Sequence, residues 1–244
     1  MRGASGGERS EIHQHSGWLI PFGLALVILV LCGAVLLYDL RPAALFRNNA
    51  PSADVRSVSL SVRGVQFQIP GNYLEARASR RGDDPDLISL SALLPDMRGY
   101  SIPDAGLFLS NAADSPVVHL VLRADTNSLS AADRLARIYG PYFAGPDGTP
   151  DQFGLTRYTF RDGTGYERND LYAGGGGAGP LLLLCERPAQ DLPSPNCLAI
   201  DRPVAPGVSL SYRFKRSQLS HWRGIATGVD MLVAKFMKRQ IGAG

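Results

Sequence analysis

The sequence predicts an α+β fold: an N-terminal transmembrane helix, then one mainly antiparallel β-sheet domain with a packed C-terminal helix. Three observations carry this. Residues 18–38 form an apolar run without a charged side chain, period-two alternation of apolar residues starts near residue 55, and a helical apolar stripe runs through 217–240.

At 244 residues, with 45% hydrophobic and 19% charged side chains, the chain has room for one sizeable domain with appendages. The net charge of +3 is modest; the basic residues are almost all arginine, and the lysines are Lys215, Lys235 and Lys238. No basic block of the kind that forms a nucleic-acid-binding arm is present, so no nucleic-acid partner is expected.

The first element is "WLIPFGLALVILVLCGAVLLY", residues 18–38. A helix of this length spans about 30 Å, the thickness of a bilayer's hydrocarbon core. Trp18 and Tyr38 bracket it as interfacial aromatic residues do, and Pro21 falls in the first turn, where its missing N–H costs little. A cleavable signal peptide has an apolar region of roughly 7–15 residues followed by a small-residue cleavage site. Here the run is longer and Asp39–Leu40–Arg41–Pro42 follows, so an uncleaved signal-anchor in the lipid bilayer is expected. Residues 1–17 then form a short cytoplasmic tail. Arg2 and Arg9 are offset by Glu8 and Glu11, while Arg41, Arg47 and Arg56 follow the span. A count of basic residues mildly favours a cytoplasmic C-terminal domain, but long domains translocate largely regardless of flanking charge. The cysteine pattern described below favours export, and export is the reading taken.

Residues 39–54, "DLRPAALFRNNAPSAD", read as a linker, and 55–244 as the exported domain. In "SVSLSVRGVQFQIP", Val58, Leu60 and Val62 alternate in one parity and Val65, Phe67 and Ile69 in the other. A two-residue turn at Arg63–Gly64 pairs 62 with 65, 60 with 67 and 58 with 69, putting all the apolar side chains on one face. Further strands are expected at 87–94, 106–110, 117–122, 155–160, 166–173, 181–186, 197–201 and 207–214, joined by Gly, Pro, Asp and Asn. Two segments read as helix. "SAADRLARIYGPYF" opens on a capping-box-like Ser130 and Asp133 and stops near Gly140–Pro141. In 217–240, Leu219, Trp222, Ile225, Val229, Leu232, Val233 and Phe236 form an amphipathic stripe. Docking of Trp222, Val229, Leu232 and Phe236 onto the sheet is expected. The competing picture is a helix lying on the membrane, with Lys235, Lys238 and Arg239 near anionic lipid.

Cys185 and Cys197 sit at the inner ends of two strand-like runs, "LLLLC" and "CLAID", around a loop holding Pro188, Pro193 and Pro195. If these runs pair antiparallel, the cysteines face each other at Cα separations of about 4.5–5.5 Å, within disulfide range. A Cys185–Cys197 disulfide is expected, with Cys32 left as a free thiol in the apolar run. Two independent buried thiols are the alternative.

The candidate sites are weak. "GGGGAG", 174–179, formally fits G-x-G-x-x-G, but Pro180 and a leucine run follow instead of a helix, so a flexible loop is expected. His119 lies on the strand face opposite Val118, Leu120 and Leu122, where it can be a general base or an ordinary polar-face histidine. His13 and His15 belong to a polar tail without a third ligand nearby, and His221 to the surface of the last helix. Asp83, Asp84 and Asp86 share one loop without the EF-hand frame. No catalytic, metal or cofactor residue is assigned, and no cofactor is expected.

The stretches "HSGWLIP" and "YRFKRSQLSHWR" resemble those of uncharacterised proteobacterial single-pass inner-membrane proteins. The resemblance implies an exported C-terminal domain and carries no activity. The expected function is a membrane-anchored envelope protein with a non-catalytic periplasmic binding or assembly domain, its partner another envelope or membrane-complex protein. The alternative is an envelope hydrolase or transferase built from scattered residues such as His119.

Overall fold

The computed structural model describes residues 19–39, 51–75, 86–125, 129–176 and 179–237, in two units, Met1–Arg47 and Asn48–Gly244. His13, His15, Asp83 and Asp84 lie outside the described residues. In the first unit, α1 (Leu19–Asp39) is a 21-residue helix. Its side chains are described over 21–33, where Phe22, Leu24, Leu29 and their neighbours are exposed and Cys32 is a free thiol. Counted over the described residues, no helix is long and apolar enough to cross a membrane.

The second unit opens with the hairpin β1 (Ser57–Val62) and β2 (Val65–Pro70), in the register the alternation dictates: Val62 opposite Val65, Leu60 opposite Phe67, Val58 opposite Ile69. Arg63 (φ 52°) and Gly64 (φ 81°) take the left-handed conformations that a tight two-residue hairpin turn requires. An eight-stranded antiparallel sheet follows, built from β3 (Leu87–Leu93), β4 (Val117–Ala124), β5 (Thr149–Pro150), β6 (Thr156–Thr159), β7 (Asn169–Gly176), β8 (Gly179–Glu186), β9 (Asn196–Ala205) and β10 (Val208–Lys215). Its spatial order is β3-β4-β10-β9-β8-β7-β6-β5. The last strand in sequence therefore lies between β4 and β9, in the sheet interior. One end of the sheet is the two-residue β5, ending at Pro150, and at the other end Leu74 bridges Leu90 alongside β3.

One face of the sheet is the principal core. Ile88, Leu90, Leu120, Leu122, Leu210 and Tyr212 meet Leu60, Phe67 and Ile69 of the hairpin and the apolar stripe of α4 (Trp222–Phe236). Trp222, Val229, Leu232 and Phe236 are all buried, as the spacing predicted. A 3-10 turn, Arg216–His221, precedes α4. On the opposite face a smaller core of Tyr139, Phe160, Leu171, Leu182 and Ile200 covers only the β6–β9 side.

Four local expectations are corrected or refined. Residues 106–110 are not a strand: Ala105–Leu109 form a short helix, α2, in which the Phe108 N–H donates to Asp104 O. Asp104 itself accepts from Ser101 Oγ, and among the described residues no strand pairs with this segment. Gly174–Gly176 lie in strand β7 instead of a loop, with Gly174 and Gly175 paired to Leu181 and Pro180 of β8; Gly177 and Ala178 lie outside the described residues. Gly174 is needed there: a Cβ would lie 2.5 Å from Leu155 Cδ2 and 2.9 Å from the Trp222 ring. The helix beginning at Ser130, whose Oγ accepts from the Asp133 N–H as expected, is α3 (Ala131–Asp133). It widens into a π-helical stretch, Arg134–Tyr139, and then tightens over Gly140–Tyr142. The strand expected at 166–173 starts only at Asn169.

Burial pushes the Tyr212 hydroxyl up to about 12, and also raises Tyr73, Tyr139 and Tyr172. A group whose folded pKa exceeds its unfolded value stabilises the fold below the unfolded pKa and loses that contribution as pH rises through the folded one. The domain should therefore lose stability between about pH 10 and 12, with Tyr212 accounting for about 2–3 kcal/mol. Tyrosinate absorbance should then rise in part only together with loss of tertiary circular dichroism; complete titration with the fold intact would contradict this.

Candidate functional site

Alternation places Ser89 and Ser91 of β3, His119 of β4, and Arg213 and Lys215 of β10 on the face away from the principal core. Strand register then aligns them. Ser91 is opposite His119, and His119 is opposite Arg213, forming one row across three strands. The Ser91 N–H donates outward to Tyr73 O at 2.9 Å, so Ser91 and His119 form a non-hydrogen-bonded pair, the kind with the closer side chains. Tyr73–Glu75 runs beside β3, where the Glu75 N–H donates to Ser89 O. Small serine side chains on the intervening strand let the Glu75 carboxylate reach His119, whose Nδ1–H donates to Glu75 Oε1 at 2.6 Å. In the neutral imidazole this leaves Nε2 as the acceptor.

Two cavities meet at His119 and Arg213. One, of about 350 Å³, lies toward Glu75, Tyr100, Phe108 and Leu109; the other, of about 390 Å³, lies toward Asn111, Ser115, Asn196 and Lys215. Lys215 is only 7% exposed; its Nζ donates to Asn111 Oδ1 at 2.7 Å and to Ser194 O at 3.4 Å. It makes no ion pair among the described residues. Burial and then the nearby Arg213 charge hold its pKa below the ordinary lysine value, against the attraction of Glu186. Glu186 is engaged elsewhere, accepting from the Asn196 N–H and Nδ2. Arg213 is exposed and likewise has no ion-pair partner among the described residues.

A second charged cluster has the opposite character. Asp170, buried, accepts from Arg187 Nε at 2.9 Å and from Arg216 Nη2 at 2.8 Å, while Arg216 also donates to Glu186 O and Tyr172 Oη. Its two guanidinium groups share one carboxylate, and it ties β7 and β8 to the turn before α4. Leu109, which lines the cavity of about 350 Å³, is 73% exposed, and nearby in sequence Ile102 and Leu107 are 75% and 42% exposed.

Cys185 and Cys197 are directly opposed on β8 and β9 and joined by a disulfide, S–S 2.00 Å with Cα atoms 4.0 Å apart. Their loop partly closes on itself, with the Leu192 N–H donating to Ala189 O. A buried disulfide of this kind supports an extracytoplasmic domain. His221 is exposed at the start of α4, and Asp86 lies just before β3. Among the described residues, no group of three or more His, Cys, Asp or Glu is placed to hold a metal ion.

Of the residues weighed from sequence, His119 enters the cleft. Glu75, Ser91, Arg213 and Lys215 were missed. The one signal for the last two was "YRFK", where basic residues alternate with buried aromatic ones.

No protein-family model and no curated protein matches the sequence. Among solved structures the chain is similar to Smlt3025, an immunity protein of the Stenotrophomonas maltophilia type IV secretion system. That match has a TM-score of 0.53 and 15% identity, over 76% of this chain and 94% of that one. A second match is FrpD, an iron-regulated outer membrane lipoprotein of Neisseria meningitidis, with a TM-score of 0.48 and 16% identity, over 79% of this chain and 98% of that one. The likeness to Smlt3025 is one of fold.

Proposed function

We propose that this chain is a bacterial inner-membrane protein that crosses the bilayer once through residues 18–38. Its periplasmic domain is a non-catalytic module that docks another envelope or membrane-complex protein. The observation that carries this reading is the cleft in which Arg213 and Lys215 make no ion pair among the described residues, next to the exposed apolar side chain of Leu109. The disulfide supports export, and the uncharged apolar run of residues 18–38 in the sequence has the length of a span of about 30 Å. Crosslinking in cells followed by pull-down from native membranes should recover one reproducible partner. Leu109→Asp, at an exposed position, should abolish the capture without changing the fold. Recovery of the chain alone would sink the docking reading. Alkaline carbonate should leave the full-length chain in the membrane pellet, whereas a mature N-terminus after residue 38 would identify a signal peptide.

A second reading, an envelope hydrolase, is favoured by one observation: Glu75 holds His119 while Ser91 faces it across the ladder. Against it, the Ser91 N–H is committed to Tyr73 O and cannot donate to an oxyanion. A fluorophosphonate probe is expected to leave Ser91 unmodified; labelling lost in Ser91→Ala and His119→Ala would establish the hydrolase instead.

A further inference from the structure

Lys215 as a residue is 7% exposed, and its ammonium is held by an amide oxygen and a carbonyl and ion-paired with no carboxylate among the described residues. Such burial is strongly unfavourable without a counter-charge. Two residues along the same strand, and therefore on the same face, Arg213 adds a second cation that raises the cost further. Neutral donors stand around them: the Asn111 and Asn196 amides and the Ser110 and Ser115 hydroxyls line the same cavity of about 390 Å³. A like-charged pair ringed by neutral polar groups has the chemistry of an anion site.

We propose, resting on the docking reading above, that this cavity receives the carboxylate of an aspartate or glutamate on an extended segment of the partner protein. A neighbouring bulky apolar side chain of that segment sits in the adjoining cavity. The exposed guanidinium of Arg213 grips the carboxylate as a fork, and Lys215 supplies the buried charge beneath it. Two features select a singly charged group over a phosphate. Glu75, fixed on His119 at the junction of the cavities, repels a second negative charge, and Glu186 does so near Lys215. The second cavity, about 350 Å³, is bordered on one side by Leu74, Phe108 and Leu109, which suit an apolar side chain, and also by the polar groups of Asn72, Ser89 and Ser91. Its junction with the first at His119 and Arg213 sets the two side chains next to each other, as on one short peptide.

The lysines of the chain are Lys215, Lys235 and Lys238, so ¹³Cε-lysine labelling gives a simple spectrum in which the Lys215 signal is assigned by its loss in Lys215→Arg. The full chain in detergent micelles is titrated with acetyl-Gly-Phe-Glu-Gly-amide, its Gln counterpart, acetate and inorganic phosphate. The Glu peptide should shift Lys215 saturably, leave Lys235 and Lys238 in place, and bind at least about tenfold more tightly than the Gln peptide or acetate. Arg213→Gln, at an exposed position, should weaken it by a similar factor. No shift at Lys215, an equal response to the Gln peptide, or tighter binding of phosphate than of the Glu peptide would each overturn the assignment. Membrane pull-down separates this from the docking reading. Undiminished capture by Arg213→Gln overturns the carboxylate pocket and leaves docking intact. Capture of no partner by the unmodified chain removes docking, and with it the protein source of the carboxylate, whatever the titration shows.

Discussion

Trp222→Ala is expected to destabilise the sheet domain by about 3–5 kcal/mol, a large part of the roughly 5–15 kcal/mol that holds a domain together. Trp222 is 1% exposed and opens α4, where its Nε1–H donates to Phe153 O at 3.0 Å. The ring occupies the space left by Gly174 on β7, so it joins the helix to the sheet at a position no smaller side chain fills. Removing it leaves a cavity between α4 and β7 and strips Phe153 O of one of its two donors, the other being Arg223 Nη1. The melting temperature of the full chain in detergent should fall clearly, while Met231→Ala, at a 64% exposed position on the same helix, should leave it unchanged. An unchanged melting temperature in Trp222→Ala combined with lost liposome binding would favour a helix that lies on the membrane.

Loss of the disulfide, by reduction or by Cys185→Ala with Cys197→Ala, is expected to cost about 2–5 kcal/mol. Its place in the sheet argues for a full effect. β8 and β9 are joined through only three residue pairs, Leu183 with Ala199, Leu184 with Leu198, and Cys185 with Cys197. This short ladder connects the β3-β4-β10-β9 half of the sheet to the β8-β7-β6-β5 half. The covalent link stands at its end, beside the point where Arg216 grips Glu186 O and Asp170. Thiol alkylation of protein trapped in native cells should label Cys32 alone until reductant is added. Labelling of all three cysteines without reductant would show the bond absent and remove the main support for export.

Elements whose signal is local were legible in the sequence. The switch of parity at Arg63–Gly64 gave the hairpin its register, and the three- and four-residue spacing from Leu219 to Phe236 gave the last helix its buried face. Residues 106–110 misled because a five-residue apolar stretch is too short to separate strand from helix, and the local Ser101–Asp104 contact ahead of the helix leaves no periodic signal. Gly174 and its neighbours misled because glycine there answers to Trp222, which lies far along the chain. The cleft was illegible for the same reason. Nothing local to His119 announces that β10 inserts beside β4, or that Glu75 arrives over Ser91.

The short segment alongside β3 has a further consequence. β5, at the far end of the sheet, is two residues long and closes on Pro150, which has no N–H to offer an incoming strand. At the near end, Tyr73–Glu75 already occupies the backbone groups of Ser89 and Ser91. A second copy of the chain can extend the sheet only by peeling that segment away, and peeling it withdraws Glu75 from His119. Fibril-like growth from this edge and an intact cleft are therefore mutually exclusive states of one molecule.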